Sequence, residues 1–269
     1  MATAAPVYEE RRVSIGRVFQ RAFSAISLNP LVIVGLALLV GAVPSIIMTY
    51  LFVQLGFFAA AAPGAVPTGA TFNQLMGAGF VVWLLTLVIS ALVQGALTRA
   101  TVSASEGQRV SLGQSLASAI RVVLPLIGLT LLWAIGIMIG FILLVVPGII
   151  LILVWAVAVP SLVIEREGVM AAFRRSAELT KGARWKIFGL FLIIVVAYWL
   201  LSAVAGLVGL GTYSATNAAA GLALSNIIGG VVVGTLVNML WGTIQPSLYV
   251  ELRQWKEGTS AENLADVFA

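Results

Sequence analysis

The chain has 269 residues, of which 61% are hydrophobic and 9% charged, with a mean hydropathy of +1.09 and a formal net charge of +5. A soluble domain carries about 25% charged residues, so this chain cannot cover a water-facing surface and reads as a polytopic membrane protein. Cysteine and histidine are absent, which excludes disulfides, thiolate metal sites and the commonest general base, and no metal or cofactor is implied.

The charged residues fall in four short blocks, Glu9 to Arg21, Arg99 to Arg121, Glu165 to Lys186 and Glu251 to Asp266. Uncharged stretches cover residues 22–98, 122–164 and 187–250 between them. The first block contains "VSIGRVFQRAFSAISL", in which Ile15, Val18, Phe19, Ala22 and Ile26 share one helical face and Ser14, Arg17, Arg21 and Ser24 the other. The apolar run that follows starts near Leu31 and is as long as a full span, so it reads as a membrane helix rather than a cleaved signal. This stretch divides into spans at Leu31 to Val53 and Phe80 to Leu97, joined by the Gly-, Ala- and Pro-rich "GFFAAAAPGAVPTGATFNQLMGAG".

As a single helix, 122–164 would be about 65 Å long at 1.5 Å per residue, twice the roughly 30 Å of hydrocarbon in a bilayer. The stretch therefore predicts two spans of about 20 residues folded back near Val146-Pro147-Gly148. Proline suits the first turn of the returning helix, where its missing N–H costs nothing. The last stretch divides into Ile187 to Val208 and Leu222 to Val250, joined around "GLGTYSATNAAAG". Six spans put every charge on one side. Short loops rich in Lys and Arg stay cytoplasmic, so both termini are expected on the cytoplasmic side of a bacterial inner membrane.

The even spans end alike. "PSLVIEREG" at Pro160 to Gly168 recurs as "PSLYVELRQWKEG" at Pro246 to Gly258, with a weaker form, "GALTRATVSASEG", at Gly95 to Gly107. Each is followed by an amphipathic segment, and the opening "VSIGRVFQRAFSAISL" echoes "VSLGQSLASAI" after Gly107. Such helices lie in the interface plane with their apolar face down. The expected fold is all-α: one membrane domain over 1–269, built as three parallel two-span repeats (about 13–107, 108–168 and 169–258) with a C-terminal amphipathic helix over 259–269. Parallel repeats imply pseudo-symmetry about the membrane normal.

The run "VIEREGVMAAFRRSAELTKGARWKIFGLFLII" resembles the membrane domain of the glycerophosphoryl diester phosphodiesterase family, and a related family of uncharacterised six-span bacterial inner-membrane proteins. Glu165, Gly168, Ala172, Arg175, Ser176, Leu179, Gly182, Trp185 and Gly189 carry the likeness, and "GRVFQRAFSAISLNPL" fits it as well. The resemblance implies a six-span membrane domain. It brings no phosphodiesterase activity, because in larger relatives that belongs to a fused barrel with histidine and carboxylate catalysts.

Candidate chemistry is sparse. Glu165 and Glu167, two apart on a helix, do not share a face, and Glu165 and Glu251 read as span-end anchors, so no enzyme is expected. No ionisable residue sits inside a span, where ion-coupled carriers place them. The deepest polar groups are Thr86, Ser90, Thr130, Tyr198, Ser202, Asn226, Thr235 and Asn238. Of these, Asn226 and Asn238 could bond between helices or line a substrate path. Gly136 with Gly140, and Gly230 with Gly234, form GxxxG patterns suited to close helix packing. Trp185 and Trp255 suit an interface belt, and Trp133 and Trp155 lie deeper.

The strongest functional signal is basic. Arg17, Arg21, Arg174, Arg175, Lys181, Arg184 and Lys186 lie on or beside amphipathic helices, where each cation near an anionic leaflet contributes about 1 kcal/mol of attraction. The leading expectation is a non-enzymatic protein that engages membrane lipids, anionic phospholipid above all, organising the bilayer or supporting a membrane complex. Two alternatives stand beside it: a carrier or channel for a small or amphiphilic molecule, and an accessory subunit with a membrane-protein partner or a second copy of itself. Nucleic acid is not an expected partner, since no soluble domain presents the basic surface.

Overall fold

The computed structural model describes residues 13–54, 69–211 and 218–258. It is about 89% helical, with no strand among the described residues. In chain order the helices are α1 (Ile15–Leu28), α2 (Pro30–Gln54), α3 (Gly69–Ser105), α4 (Leu112–Ile120), α5 (Val123–Leu143), α6 (Val145–Val154), α7 (Ala158–Glu165), α8 (Val169–Thr180), α9 (Arg184–Gly211) and α10 (Ala218–Glu257). Five segments are long and apolar enough to cross a membrane: Met76–Ser105, Val123–Leu143, Val145–Glu165, Arg184–Val204 and Val231–Glu257. The number becomes six if α1 and the first part of α2, which meet at 101°, are taken as one bent span. The chain is a multi-pass membrane protein.

The 122–164 stretch does fold back on itself, but at Leu144 rather than at the proline. That single extended residue separates α5 from α6, and Pro147 becomes the third residue of the returning helix, where its N–H is still not needed. The two arms close tightly because glycines face each other. A Cβ on Gly140 would stand 3.0 Å from the Gly148 Cα, and one on Gly136 would lie 2.5 Å from the Trp155 ring. Leu126 and Leu129 then share a buried cluster with Ala158 and Leu162, so the arms stay in contact along their length.

A feature not foreseen is the break halfway along the second arm, at Trp155 to Val157. Pro160 is its local cause: with no N–H it leaves the carbonyl of Ala156, four residues back, without a helical partner, and its ring crowds that carbonyl. The freed groups find partners elsewhere. Gln245 Nε2 donates to the Ala156 carbonyl at 3.1 Å, the Val157 N–H donates to Ser176 Oγ at 3.2 Å, and Ser176 Oγ donates to the Val154 carbonyl at 2.8 Å. The Trp155 ring, displaced sideways, packs at 4.7 Å on Phe173.

Helix α3 starts at Gly69 and α10 runs from Ala218 to Glu257, both longer than the apolar spans read from sequence. No proline interrupts 69–79, and polar residues there do not stop a helix once an apolar span anchors it. Helices α3, α7 and α10 touch one another in the middle of the molecule. Outside them, α2 packs on α3 and α10, α5 on α3 and α6, and α9 on α10 and α6. The short amphipathic helices dock on the ends of the inner ones: α4 on α3, α8 on α7, and α1 on α10. The 259–269 helix and the connections over 55–68 and 212–217 lie outside the described residues.

Candidate functional site

The ion-paired side chains among the described residues gather where α1, α7 and α8 meet the last turns of α10. Each acidic centre there begins with a glutamate at the end of a long apolar run. Glu251, whose side chain is 3% exposed, accepts hydrogen bonds from the Ser14 N–H at 3.1 Å and Arg17 Nε at 2.8 Å. Arg17 Nη2 stands 2.6 Å from it and Arg21 Nη2 3.4 Å. Arg21 also donates to the Gln254 side chain. A groove of about 290 Å³ remains among Arg17, Arg21, Glu251, Gln254 and Trp255.

Glu165 forms the second centre. Arg175 Nε lies 2.9 and 3.0 Å from its two oxygens, and the Tyr249 hydroxyl donates to it at 2.8 Å. The other end of Arg175 reaches Glu257, which Arg253 Nε also holds at 2.9 Å. Burial works against the Arg175 charge, but the bonds from Glu257 and Glu165 outweigh it and hold its pKa above the ordinary arginine value. The two centres thus tie three separate parts of the chain to the end of α10.

This geometry divides the seven basic residues singled out in the sequence. Arg17, Arg21 and Arg175 are held in ion pairs, and Lys186 Nζ donates to the Val13 carbonyl at 2.7 Å. Arg174, Lys181 and Arg184 are exposed and form no ion pair with any described residue. They lie on α8 and the start of α9, beside Met170 and Trp185, which are 72% and 86% exposed. The three cations and two large apolar side chains are all exposed within the short stretch 170–185. Glu178 of α8 is also exposed, so the stretch keeps a net positive charge.

No protein-family model matches the chain, and no solved structure matches it. Among the described residues no cluster of carboxylates gathers as a metal site requires.

The intramembrane candidates sit elsewhere. Asn238 Nδ2 donates to the Gly234 carbonyl of its own helix at 2.7 Å rather than to a neighbouring helix. Gly230 and Asn226 also belong to α10. Gly136 and Gly140 face α6, as described above.

Sequence reasoning did not anticipate Tyr249, Gln254 and Glu257 as partners of the basic residues. The signal was present in the motif: in "PSLYVELRQWKEG" all three lie within one or two helical turns of Glu251, on the element that the amphipathic helices meet.

Proposed function

We propose that this is a non-catalytic protein of a bacterial inner membrane that engages anionic phospholipid, organising the bilayer or supporting a membrane complex. The observation that carries the reading is the division of the cations. The carboxylates of the two acidic centres are matched by Arg17, Arg21, Arg175 and Arg253, yet Arg174, Lys181 and Arg184 face outward beside Met170 and Trp185. A stretch that exposes cations and an indole together suits the headgroup level of an anionic leaflet.

We read α1, α4 and α8 as interfacial helices. The best support comes from α4, whose Leu112, Leu116 and Ile120 are exposed in one stripe while Ser115 and Ala119 are buried against the protein. A stripe of large apolar side chains with no protein cover belongs in lipid. The 101° bend between α1 and α2 fits the same picture, a helix lying flat before one that dives.

The reading also takes the chain as three hairpin repeats, in keeping with the resemblance to the phosphodiesterase-family membrane domain. Three observations support it. Each amphipathic helix docks on the inner helix of the preceding hairpin, with α1 returning to the last one. The glycines of the three Glu-Gly pairs, Gly107, Gly168 and Gly258, all adopt positive φ, of 75°, 93° and 75°, a conformation that favours glycine at a helix end. The ion pairs also follow the register. The motifs align Glu165 with Glu251 and with Ala100, and their partners Arg175 and Arg17 with Gln114. Where the first hairpin lacks the glutamate it also lacks the arginine. Losing both partners of such a pair is far cheaper than losing one.

The test is lipid retention by purified protein at two ionic strengths. At roughly 1 kcal/mol per charge, changing Arg174, Lys181 and Arg184 together to Gln should remove about 3 kcal/mol of preference for phosphatidylglycerol over phosphatidylcholine. The difference should shrink as salt shortens the screening length. Equal retention by variant and wild type would reduce these residues to topology determinants.

A further inference from the structure

A cavity of about 190 Å³ lies between α3, α5, the break after α6, and α10. Its walls are the rings of Trp133, Trp155 and Trp241, with Leu126 and Leu129. Its polar groups are Ser90, Gln94, Thr130 and Gln245, and no charged side chain lines it. It adjoins the break itself: Trp155 is the first residue out of helical register, and Gln245 is the side chain that bonds the freed Ala156 carbonyl.

The polar groups here are not spent. Gln94 Oε1 is buried and accepts no hydrogen bond. Gln245 uses its Nε2 on the Ala156 carbonyl, which leaves its oxygen able to accept. The Thr130 hydroxyl donates to Leu126 in its own helix at 2.8 Å and can still accept. A carboxamide left unmatched away from water costs about 1–3 kcal/mol, and a membrane interior offers it nothing else to bond. Such a group is retained where something supplies the missing partner.

Water is a poor candidate for the whole space. By volume the cavity could take about six molecules at roughly 30 Å³ each, but each buried water wants two to four polar partners. Four polar side chains and the N–H groups of the indoles offer few partners for that many, and the three rings cover much of the remaining wall. An ion is also unsuited, because nothing charged faces it. A small hydroxyl-bearing head with an apolar body fits both halves of the lining, its hydroxyls to Gln94 and Gln245 and its carbons to the rings. Elsewhere on the same two helices Leu84 and Val88 of α3, and Leu132 of α5, are exposed without protein cover. A lipid tail can lie along them while the head occupies the cavity.

We infer that this cavity is a binding site for an uncharged, hydroxyl-bearing lipid of the acylglycerol or long-chain alcohol class, held by the carboxamides of Gln94 and Gln245 between the three tryptophans. The inference does not rest on the anionic surface proposed above. The two sites are far apart in chemistry and can be tested against each other with one competitor.

The experiment uses full-length protein in detergent and dioleoylglycerol carrying a diazirine on one acyl chain, with labelled peptides mapped by mass spectrometry. Labelling should fall on α3 or α5 beside the cavity, be displaced by unlabelled dioleoylglycerol, and resist phosphatidylglycerol at the same concentration. Gln94→Leu should cut labelling at least tenfold while leaving the unfolding temperature unchanged or higher, because it removes an unmatched polar group. A carboxamide with only a structural role would show the reverse, a lowered unfolding temperature with labelling retained. Thr130→Val serves as a second, milder variant and should cut labelling several-fold. Undiminished labelling in both variants, equal displacement by phosphatidylglycerol, or no labelling beside the cavity would each overturn the assignment.

Discussion

Arg17 and Glu251 stand 234 residues apart in the chain, and their side chains meet in an ion pair of 2.6 Å. Because the glutamate is buried and the arginine half exposed, the two ends of this bond are not equivalent. Removing Arg17 and Arg21 together leaves a largely buried carboxylate with the Ser14 N–H but no cation, whereas removing Glu251 leaves cations on side chains that already reach the surface. Breaking one side of a buried pair costs about 3–5 kcal/mol. The double variant Arg17→Ala/Arg21→Ala should therefore lower the unfolding temperature in detergent more than Glu251→Ala does. All three changes together should be milder than the sum of their separate effects. Strict additivity would mean that the pair contributes no coupling.

The broken helix makes a second coupling measurable. Gln245→Leu should destabilise the protein by about 1–3 kcal/mol, because it abandons the Ala156 carbonyl. In a Pro160→Ala background, residue 160 regains an N–H that can take over that carbonyl. The same Gln245→Leu change should then cost measurably less, as read from thermal unfolding of the four proteins of the cycle. An equal cost in both backgrounds would show that the break has another cause.

Gly136 faces the Trp155 ring at a distance that leaves no room for a side chain. Gly136→Val should cost about 1–3 kcal/mol through overpacking, and Trp155→Leu in the same protein should relieve part of it. Unfolding measurements that find Gly136→Val neutral would separate the two helices at this point.

The absence of native cysteine makes topology directly readable. With the charged side cytoplasmic, Leu144→Cys at the exposed hairpin tip should react with an impermeant maleimide added to intact spheroplasts, and Ser105→Cys should react only after permeabilisation. The opposite pattern would invert the protein in the membrane.

What could be read in advance depended on range. The Leu144 hairpin was legible because length alone forbids a single helix over 122–164, and the Gly136/Gly140 spacing marks the face that closes. The turn missed Pro147 by three residues because proline also fits inside a helix's first turn. The break at Trp155 to Val157 was not legible. Pro160 in "VPSLVIE" and Pro246 in "QPSLYVE" look alike, yet α10 runs through its proline and the α6–α7 span does not. The difference lies with Ser176 and Gln245, which hold the opened backbone from 19 and 89 residues away. Ser90 and Thr130 were recognised as deep polar groups, but Gln94 and Gln245 were not singled out. The pairing of Arg17 with Glu251 was invisible for the same reason of distance, although the repeat carried a trace of it in the matched absence of both charges at Ala100 and Gln114.

The docking of α1 on α10 has a consequence in time. Glu251 is made 234 residues after Arg17, so most of the described helices exist before this pair can close. Until then α1 has the earlier helices it also touches, α2 and α3, to pack on. The bond that fastens it to α10 is the last of its contacts to form.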